Sequence, residues 1–296
     1  MSEAFMRGTL IQGIGGFYTA RTAEGREYIL RCKKKFRREG ISPLTGDEVL
    51  FTPGEGERHG WIEEILPRKT VSVRPPVANV NLLVIVLAPE PEADLLLTDR
   101  LASRAYAQGM GVILAVNKTD LDDGLPERIA EEYRPAGIRV FPVCTRNRAG
   151  LQELREAMQG SLCCLAGQSG AGKSTLLSIL MGMDLETGEL SRKIARGKNT
   201  TRMSILLEKD GLRVMDTAGF NLLEAEKALP PEELRFRYPE FLPYEGKCRF
   251  RECLHDREPG CAVQEAAEHG VIHMNRLQRY RSLLSETREN WRERYD

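Results

Sequence analysis

From Met1 to about Lys69, apolar and polar residues alternate in short runs broken by turn residues. Residues 8–11, 16–20, 27–30, 47–51 and 60–66 read as strands, separated by Gly13, Gly15, Gly25, Pro43, Gly46, Pro53, Gly54 and Gly56. Several short strands with regular turn signals predict a small β-barrel. Five strands fit an oligonucleotide-binding (OB) barrel, and an SH3-like barrel fits the pattern nearly as well. Pro67 and the pair Pro75-Pro76 then mark a linker.

Beyond the linker the texture changes. Residues 81–87 and 111–116 are continuous apolar runs, as expected of strands buried on both faces of a parallel sheet. Between them, 95–108 has helical periodicity, with Leu97, Leu101 and Tyr106 among its apolar positions. Further strands are predicted at 139–143, 161–166 and 212–215. This alternation predicts a doubly wound α/β domain. From about Glu224 the pattern is polar and helical, ending in an Arg- and Glu-rich helix predicted over 263–295. The expected division is 1–70, an RNA-binding barrel; 71–222, the α/β domain; and 223–296, a mostly helical domain.

Composition adds limits. The chain has 296 residues, 43 basic and 43 acidic, for a formal net charge of +0, which excludes a globally basic nucleic-acid coat but leaves room for a local basic patch. The longest strongly apolar run, near Leu82 to Ala88, falls well short of the ~20 residues that span a bilayer. The first residues lack a basic and then apolar signal pattern. A soluble cytoplasmic protein with no membrane partner is expected.

Gly167, Gln168, Ser169, Gly170, Ala171, Gly172, Lys173, Ser174 and Thr175 fit the phosphate-loop pattern G-x-x-x-x-G-K-[ST], after an apolar strand and before a helical run. The glycines allow a tight loop whose N–H groups face phosphates, and the helix start adds its positive dipole end. Lys173 is expected to reach the β- and γ-phosphates, and the Ser174 hydroxyl to bind Mg²⁺. Asp216-Thr217-Ala218-Gly219 closes a later strand. Asp216 is expected behind the Mg²⁺, and Gly219 to donate its N–H to the γ-phosphate.

Asn117-Lys118-Thr119-Asp120 follows a buried strand and is the guanine-selecting pattern. The Asp120 carboxylate can accept two hydrogen bonds from guanine, whereas adenine would leave it unpaired at a cost of a few kcal/mol. Lys118 can lie along the base, and Asn117 can tie neighbouring loops together. Cys144 and Thr145, ending the next strand, are expected to offer a backbone N–H to the guanine carbonyl. The base motif precedes the phosphate loop, the reverse of the ordinary order. A circular permutation accounts for this, since termini of compact domains lie close together.

Cys248, Cys253, His255 and Cys261 supply three thiolates and an imidazole within one short segment, the ligand set of a closed, structural Zn²⁺ site. His269 and His273 read as surface residues and His59 as a loop residue. Arg31, Lys33, Lys34, Lys35, Arg37 and Arg38 form a basic cluster suited to RNA phosphates. A second stripe (Arg276, Arg279, Arg281, Arg288, Arg292, Arg294) is interleaved with Glu286, Glu289 and Glu293. It reads rather as a solvated, salt-bridged helix.

Taken together these residues resemble the ribosome small-subunit-dependent GTPase family RsgA. The likeness extends to residues 36–47, 65–69 and 73–80 and to the zinc spacing. It implies an OB barrel, a circularly permuted GTPase domain and a C-terminal zinc domain. It also implies GTP hydrolysis to GDP and phosphate stimulated by the 30S subunit, contact with 16S rRNA, a role in late subunit maturation, and a monomer. The family's switch segment commonly reads Gly-Arg-His-Thr-Thr, whereas here it is Gly197-Lys198-Asn199-Thr200-Thr201. Thr200, with Thr201 as the fallback, is expected to bind Mg²⁺ and the γ-phosphate. Asn199 cannot transfer a proton as an imidazole would, and Phe220 stands where Ras-like enzymes place a water-orienting glutamine. Slow turnover without a partner is therefore expected. The competing readings are a GTP-regulated RNA- or ribosome-binding adaptor with little intrinsic hydrolysis, and a translation or signalling GTPase with another partner.

Overall fold

A computed structural model describes residues 5–54, 58–73, 76–183, 204–217 and 229–293. The expected switch residues Asn199, Thr200 and Thr201, together with Gly219 and Phe220, lie outside them.

Strands β1 (Met6–Ile14), β2 (Phe17–Arg21), β3 (Glu27–Cys32), β4 (Glu48–Thr52) and β5 (Gly60–Ile65) close into a barrel of order β1-β2-β3-β5-β4. β3 and β5 run parallel and the other pairs antiparallel, which is the Greek-key closure of an OB barrel and resolves the choice left open by the pattern. Alternation along the strands sends Leu10, Ala20, Leu30, Val49, Phe51 and Ile62 inward. Phe36 joins this core from a short helix, α1 (Lys34–Arg38), so the basic cluster lies on β3 and a helical turn.

The segment after the barrel differs from the expected linker: β6 (Val71–Val73) and β7 (Pro76–Ala78) pair antiparallel. Pro76 is tolerated because a two-stranded ribbon has only edges. Ahead of it, Gly46 has φ 95°, and a side chain there would overlap the Ala78 carbonyl, so only glycine fits. The adjacent Asp47 is wholly buried. It accepts from Leu44 N at 2.7 Å and from Arg68 Nε and Nη2 at 2.7 and 2.8 Å. A buried carboxylate needs such partners, which explains why 36–47 and 65–69 go together in the resemblance.

Strands β8 (Leu82–Leu87), β9 (Gly111–Val116), β10 (Arg139–Pro142), β11 (Leu162–Ala166), β12 (Ser204–Lys209) and β13 (Leu212–Thr217) form a six-stranded sheet of order β10-β9-β8-β11-β13-β12. β9 and β10 are parallel, as are β11 and β13, while β12 is an antiparallel edge. Helices α2 (Leu95–Ala107), α3 (Leu125–Tyr133), α4 (Leu151–Met158) and α5 (Lys173–Leu180) follow β8, β9, β10 and β11. The strand that leads into the phosphate loop thus lies inside the sheet although it comes fourth among its strands, as a permuted chain requires. β12 was not expected from the sequence.

The C-terminal part opens with 3₁₀ turns at Pro231–Arg237 and Pro239–Tyr244. Its long predicted helix is two helices, α6 (Ala262–Glu268) and α7 (Met274–Arg292). Gly270, at φ 74°, ends the first in a left-handed turn, and the His273 side chain caps the second, accepting from Asn275 N at 3.3 Å. Tyr238, Phe241, Val263, Ile272, Leu277, Tyr280 and Leu284 form its core. None of the described helices is long and apolar enough to cross a membrane.

Candidate functional site

β11 is buried along its whole length and delivers Gly167 at its C-terminal end. Gly167 has φ 125°, and any side chain there would overlap the Val86 carbonyl. Gly172 has φ 93°, and a Cβ would overlap the Asn117 Nδ2. The loop then enters α5, whose first N–H groups have no partners within the helix. Lys173 folds back over the loop, its Nζ donating to Gly167 O at 2.8 Å and Gln168 O at 2.7 Å. Burial alone pulls its ammonium below the usual lysine range, a shift that a nearby polyanion would reverse. Ser174 is exposed at the helix start.

The base motif meets this loop directly. Asn117 is fully buried at the end of β9. Its Nδ2 donates to Ala171 O at 3.0 Å, its Oδ1 accepts from Thr145 N at 3.1 Å, and its own N–H donates to Leu87 O at 2.7 Å. One side chain therefore joins the phosphate loop, the base motif and the loop after β10. Lys118 adopts a left-handed φ of 59° and sends Nζ to Glu90 O at 2.6 Å. Asp120 is exposed at the rim. The Cys144 thiol donates to Asp120 Oδ1 at 3.2 Å, and Arg146 Nη1 to Oδ2 at 3.3 Å. The Cys144 hydrogen bond, aided by Arg146, holds the Asp120 carboxyl below the usual carboxylate range.

Cys144 and Thr145 lie just after β10, beside the base motif. Cys144 N donates to Ala149 O at 3.0 Å and Thr145 N to Asn117. Both residues thus reach the base motif, Cys144 through the Asp120 side chain and Thr145 through that of Asn117. Asp216 lies at the C-terminal end of β13, parallel to β11. Burial raises its carboxyl above the ordinary aspartate range, the cost a neighbouring cation would remove.

Sequence reasoning missed the segment between β8 and α2. Gln168 Nε2 donates to Pro91 O at 3.1 Å and Glu92 O at 2.9 Å, while its Oε1 accepts from Asp94 N at 2.8 Å. The Pro-Glu-Pro run after an apolar strand was the available signal, but it names no partner.

The Cys248, Cys253 and Cys261 thiols and the His255 ring each offer one ligand atom, all within 4.8 Å of one another. Sγ of Cys248 and of Cys261 lie 3.6 and 3.4 Å from His255 Nδ1. Tetrahedral zinc, with Zn–S near ~2.3 Å and Zn–N near ~2.0 Å, asks for ligand separations of roughly this size. Burial raises the Cys253 and Cys261 thiols, with neighbouring cysteines adding to the rise, and lowers the imidazole. The neutral imidazole is the metal-binding form, and a dication would offset the cost of thiolates held this close. Ala262 N and Gln264 N also point at Cys248 and Cys261 sulfurs, each at 3.4 Å. The donor set fits a closed structural zinc.

One correction concerns α7. Arg276 and Arg279 were expected to be solvated, but Arg276 is buried and Arg279 half-buried: Arg276 pairs with Asp99 and donates through Nε to Glu240 Oε1 at 2.8 Å, between the Tyr133 and Tyr238 rings. Arg279 pairs with Asp99 and Glu132, both at 2.7 Å.

Comparison with known proteins agrees with this geometry. The profile of the RsgA GTPase matches residues 65–226, and that of the RsgA N-terminal domain matches 7–62. The small ribosomal subunit biogenesis GTPase RsgA of Ruminiclostridium cellulolyticum is 44% identical over 279 residues, covering 92% of this chain and 91% of its own. Its counterpart from Caldanaerobacter subterraneus is 39% identical, covering 98% of both chains. Among solved structures, YloQ, described as a circularly permuted GTPase, superposes with a TM-score of 0.80 at 28% identity, covering 97% of this chain and 96% of its own. YjeQ from Thermotoga maritima superposes with a TM-score of 0.81 at 31% identity, covering 96% and 99%. With its barrel, its permuted sheet and its Cys/His cluster in place, the chain belongs to the RsgA family of circularly permuted GTPases.

Proposed function

We propose that this GTPase acts in biogenesis of the small ribosomal subunit, binding the 30S particle and hydrolysing GTP late in its maturation. The observation that supports the nucleotide half is the Asn117–Ala171 hydrogen bond at 3.0 Å, which ties the segment bearing the base motif to the phosphate-loop motif. The ribosomal half rests on the names of its relatives.

In this reading Asp120 accepts from the guanine edge, Lys118 lies along the base, and Asn117 fixes the pocket with Cys144 and Thr145. The loop from Gly167 to Gly172 wraps the phosphates with its N–H groups, Gln168 braces it, and Thr175 follows in the first turn of α5. Lys173 turns from its loop carbonyls to the β- and γ-phosphates, and Ser174 and Thr200 would hold Mg²⁺ with Asp216 behind it. Magnesium held there would supply positive charge against the charge that develops on the phosphates. Gly219 donates to the γ-phosphate. With Asn199 and Phe220 at the positions of proton-transfer and water-orienting groups, water alignment is left to the subunit.

The chain divides into a barrel at 1–70, the GTPase domain at 71–222 and the zinc-binding helical domain at 223–296. The barrel contacts 16S rRNA, and the protein acts as a monomer in the cytoplasm. Of the basic cluster, Lys33 is paired with Glu63 and Lys35 Nζ donates to Glu63 O at 2.6 Å, whereas Lys34 and Arg38 are exposed. The phosphate contacts therefore fall mainly to Lys34 and Arg38. Co-sedimentation with isolated 30S, 50S and 70S particles tests the proposal. Retention on 30S with a non-hydrolysable GTP analogue, and loss with GDP, is expected. Equal retention on all three particles, or on none, contradicts it.

A further inference from the structure

Gln168 stands at a position that the phosphate-loop pattern leaves open to any residue, so the motif gives no reason for a glutamine there. Its amide nonetheless makes three hydrogen bonds, and all three go to the segment between β8 and α2, 74 to 77 positions earlier in the chain. Glutamate would lose both donors, and asparagine falls one methylene short. One of the three partners is the N–H of Asp94, the N-cap of α2. The Asp94 carboxylate accepts from Leu97 N at 2.8 Å and its carbonyl from Thr98 N at 3.0 Å, so Gln168 grips the residue that starts the helix. The base motif bears on the same segment through the Lys118 bond to Glu90 O. The first two turns of α2 are also where the C-terminal residues are fastened. Leu96 packs against their apolar core, Asp99 receives Arg276 and Arg279, and Arg100 pairs with Glu286 at 2.6 Å. Asp94 and Asp99 are five residues apart, about 7.5 Å along the helix axis.

We infer that Gln168 is a positioning residue that couples occupancy of the phosphate loop to the seat of α7, with α2 as the stiff link between them. Lys173 Nζ donates to the Gln168 carbonyl at 2.7 Å, and in the proposed function it leaves that carbonyl for the phosphates. Loading the loop therefore changes what holds Gln168 at its backbone while its side chain holds the start of α2. A shift at the helix cap carries to Asp99 because a hydrogen-bonded helix moves as a unit, and Asp99 holds two arginines of α7. A glutamine that only stiffened its own loop would bond within that loop. Coupling of this kind is reciprocal, so whatever bears on α7 changes nucleotide affinity by the same factor. The inference rests on the GTP-binding reading and deepens it, naming the residues through which an event at the C-terminal helix reaches the phosphates.

Amide hydrogen exchange of the full-length protein, with and without a non-hydrolysable GTP analogue and Mg²⁺, reads both ends at once. The analogue should slow exchange at 167–175 and, through α2, at 274–292. Gln168→Met keeps the length of the side chain and loses all three hydrogen bonds. It should bind the analogue more weakly but still saturably, with slowing at 167–175, and lose most of the response at 274–292. A thermodynamic cycle gives a second readout. Arg279→Gln, which loosens α7 from Asp99, should weaken analogue binding about fivefold in the unmodified chain and hardly at all in Gln168→Met. Arg100→Ala, at the half-exposed Glu286 pair, runs the same cycle if Arg279→Gln does not fold. A merely structural brace would leave the two effects multiplicative. Exchange at 274–292 indifferent to the analogue while 167–175 slows, a full response at 274–292 in Gln168→Met, or multiplicative effects in the cycle would each overturn the coupling and leave GTP binding standing. Failure of the unmodified chain to bind the analogue would instead remove the GTP reading, and the coupling with it.

Discussion

At the residue scale, the proposed function makes Asp120 the group that discriminates bases. Its two oxygens accept from Cys144 and Arg146, partners that guanine donors would replace in that reading. Replacing it with asparagine turns one acceptor into a donor. Asp120→Asn should therefore lower GTP affinity by about 10²-fold and favour xanthosine triphosphate, read by nucleotide-binding titrations. Retained GTP preference would remove Asp120 from the base pocket. Gly172 is a second residue-scale test. An alanine Cβ would strike the Asn117 amide in a left-handed backbone, so Gly172→Ala should cut both GTP affinity and thermal stability, with Gly246→Ala as a control that has open space but equal backbone strain. These groups were legible because short-range motifs encode them. The Asn117–Ala171 bond was foreseen only as a tie between loops, because no spacing says which carbonyl 54 residues away accepts it.

At the element scale, a buried charge network joins α2, α3, the Pro239–Tyr244 turn and α7. Asp99 receives Arg276, Arg279 and the Tyr133 hydroxyl, the last at 2.5 Å. Burial pulls the Arg276 guanidinium down, but Asp99 and Glu240 outweigh it and hold it above its usual range. Such a network is strongly destabilised when one partner goes, because the others stay buried and charged. Arg276→Met should cost about 3–5 kcal/mol, measured by denaturant unfolding, and a change under ~1 kcal/mol would refute the account. The sequence misled here. Arginines interleaved with glutamates on one helix suggest pairs along that helix, yet the acids that matter come from other elements. The pattern likewise ran α6 and α7 together, since Gly270 ends a helix only through its left-handed turn. β12 escaped notice because its apolar positions do not alternate cleanly and its partner follows a tight turn.

The zinc cluster belongs to the same scale. Cys248, Cys253, His255 and Cys261 sit under Phe241 and Tyr280, with the Phe241 ring 5.6 Å from that of His255. Metal analysis should find one zinc per chain. Chelation should abolish the near-ultraviolet circular dichroism of the Tyr238, Phe241 and Tyr280 cluster and lower the melting temperature, because binding energy at such sites is folding energy. An unchanged spectrum after complete zinc removal would show that the thiols pack as a small core without metal.

At the scale of the whole molecule, the order of parts is the main consequence of permutation. β13 carries Asp216 next to its last residue, Thr217, and in sequence the Cys/His cluster follows. In the proposed reading, a change at the γ-phosphate is therefore close in sequence to the C-terminal residues. The barrel was recognisable from alternation alone, but its closure was not, since only the parallel β3–β5 pairing separates an OB barrel from its rival. The central claim is that the chain binds GTP in its crevice and needs the subunit to hydrolyse it. Single-turnover hydrolysis of GTP by the purified protein, with and without isolated 30S particles, tests this most directly. The account predicts slow release of phosphate alone and a large acceleration with 30S that 50S does not reproduce. Rapid hydrolysis by the chain alone, or a rate indifferent to 30S, would contradict it.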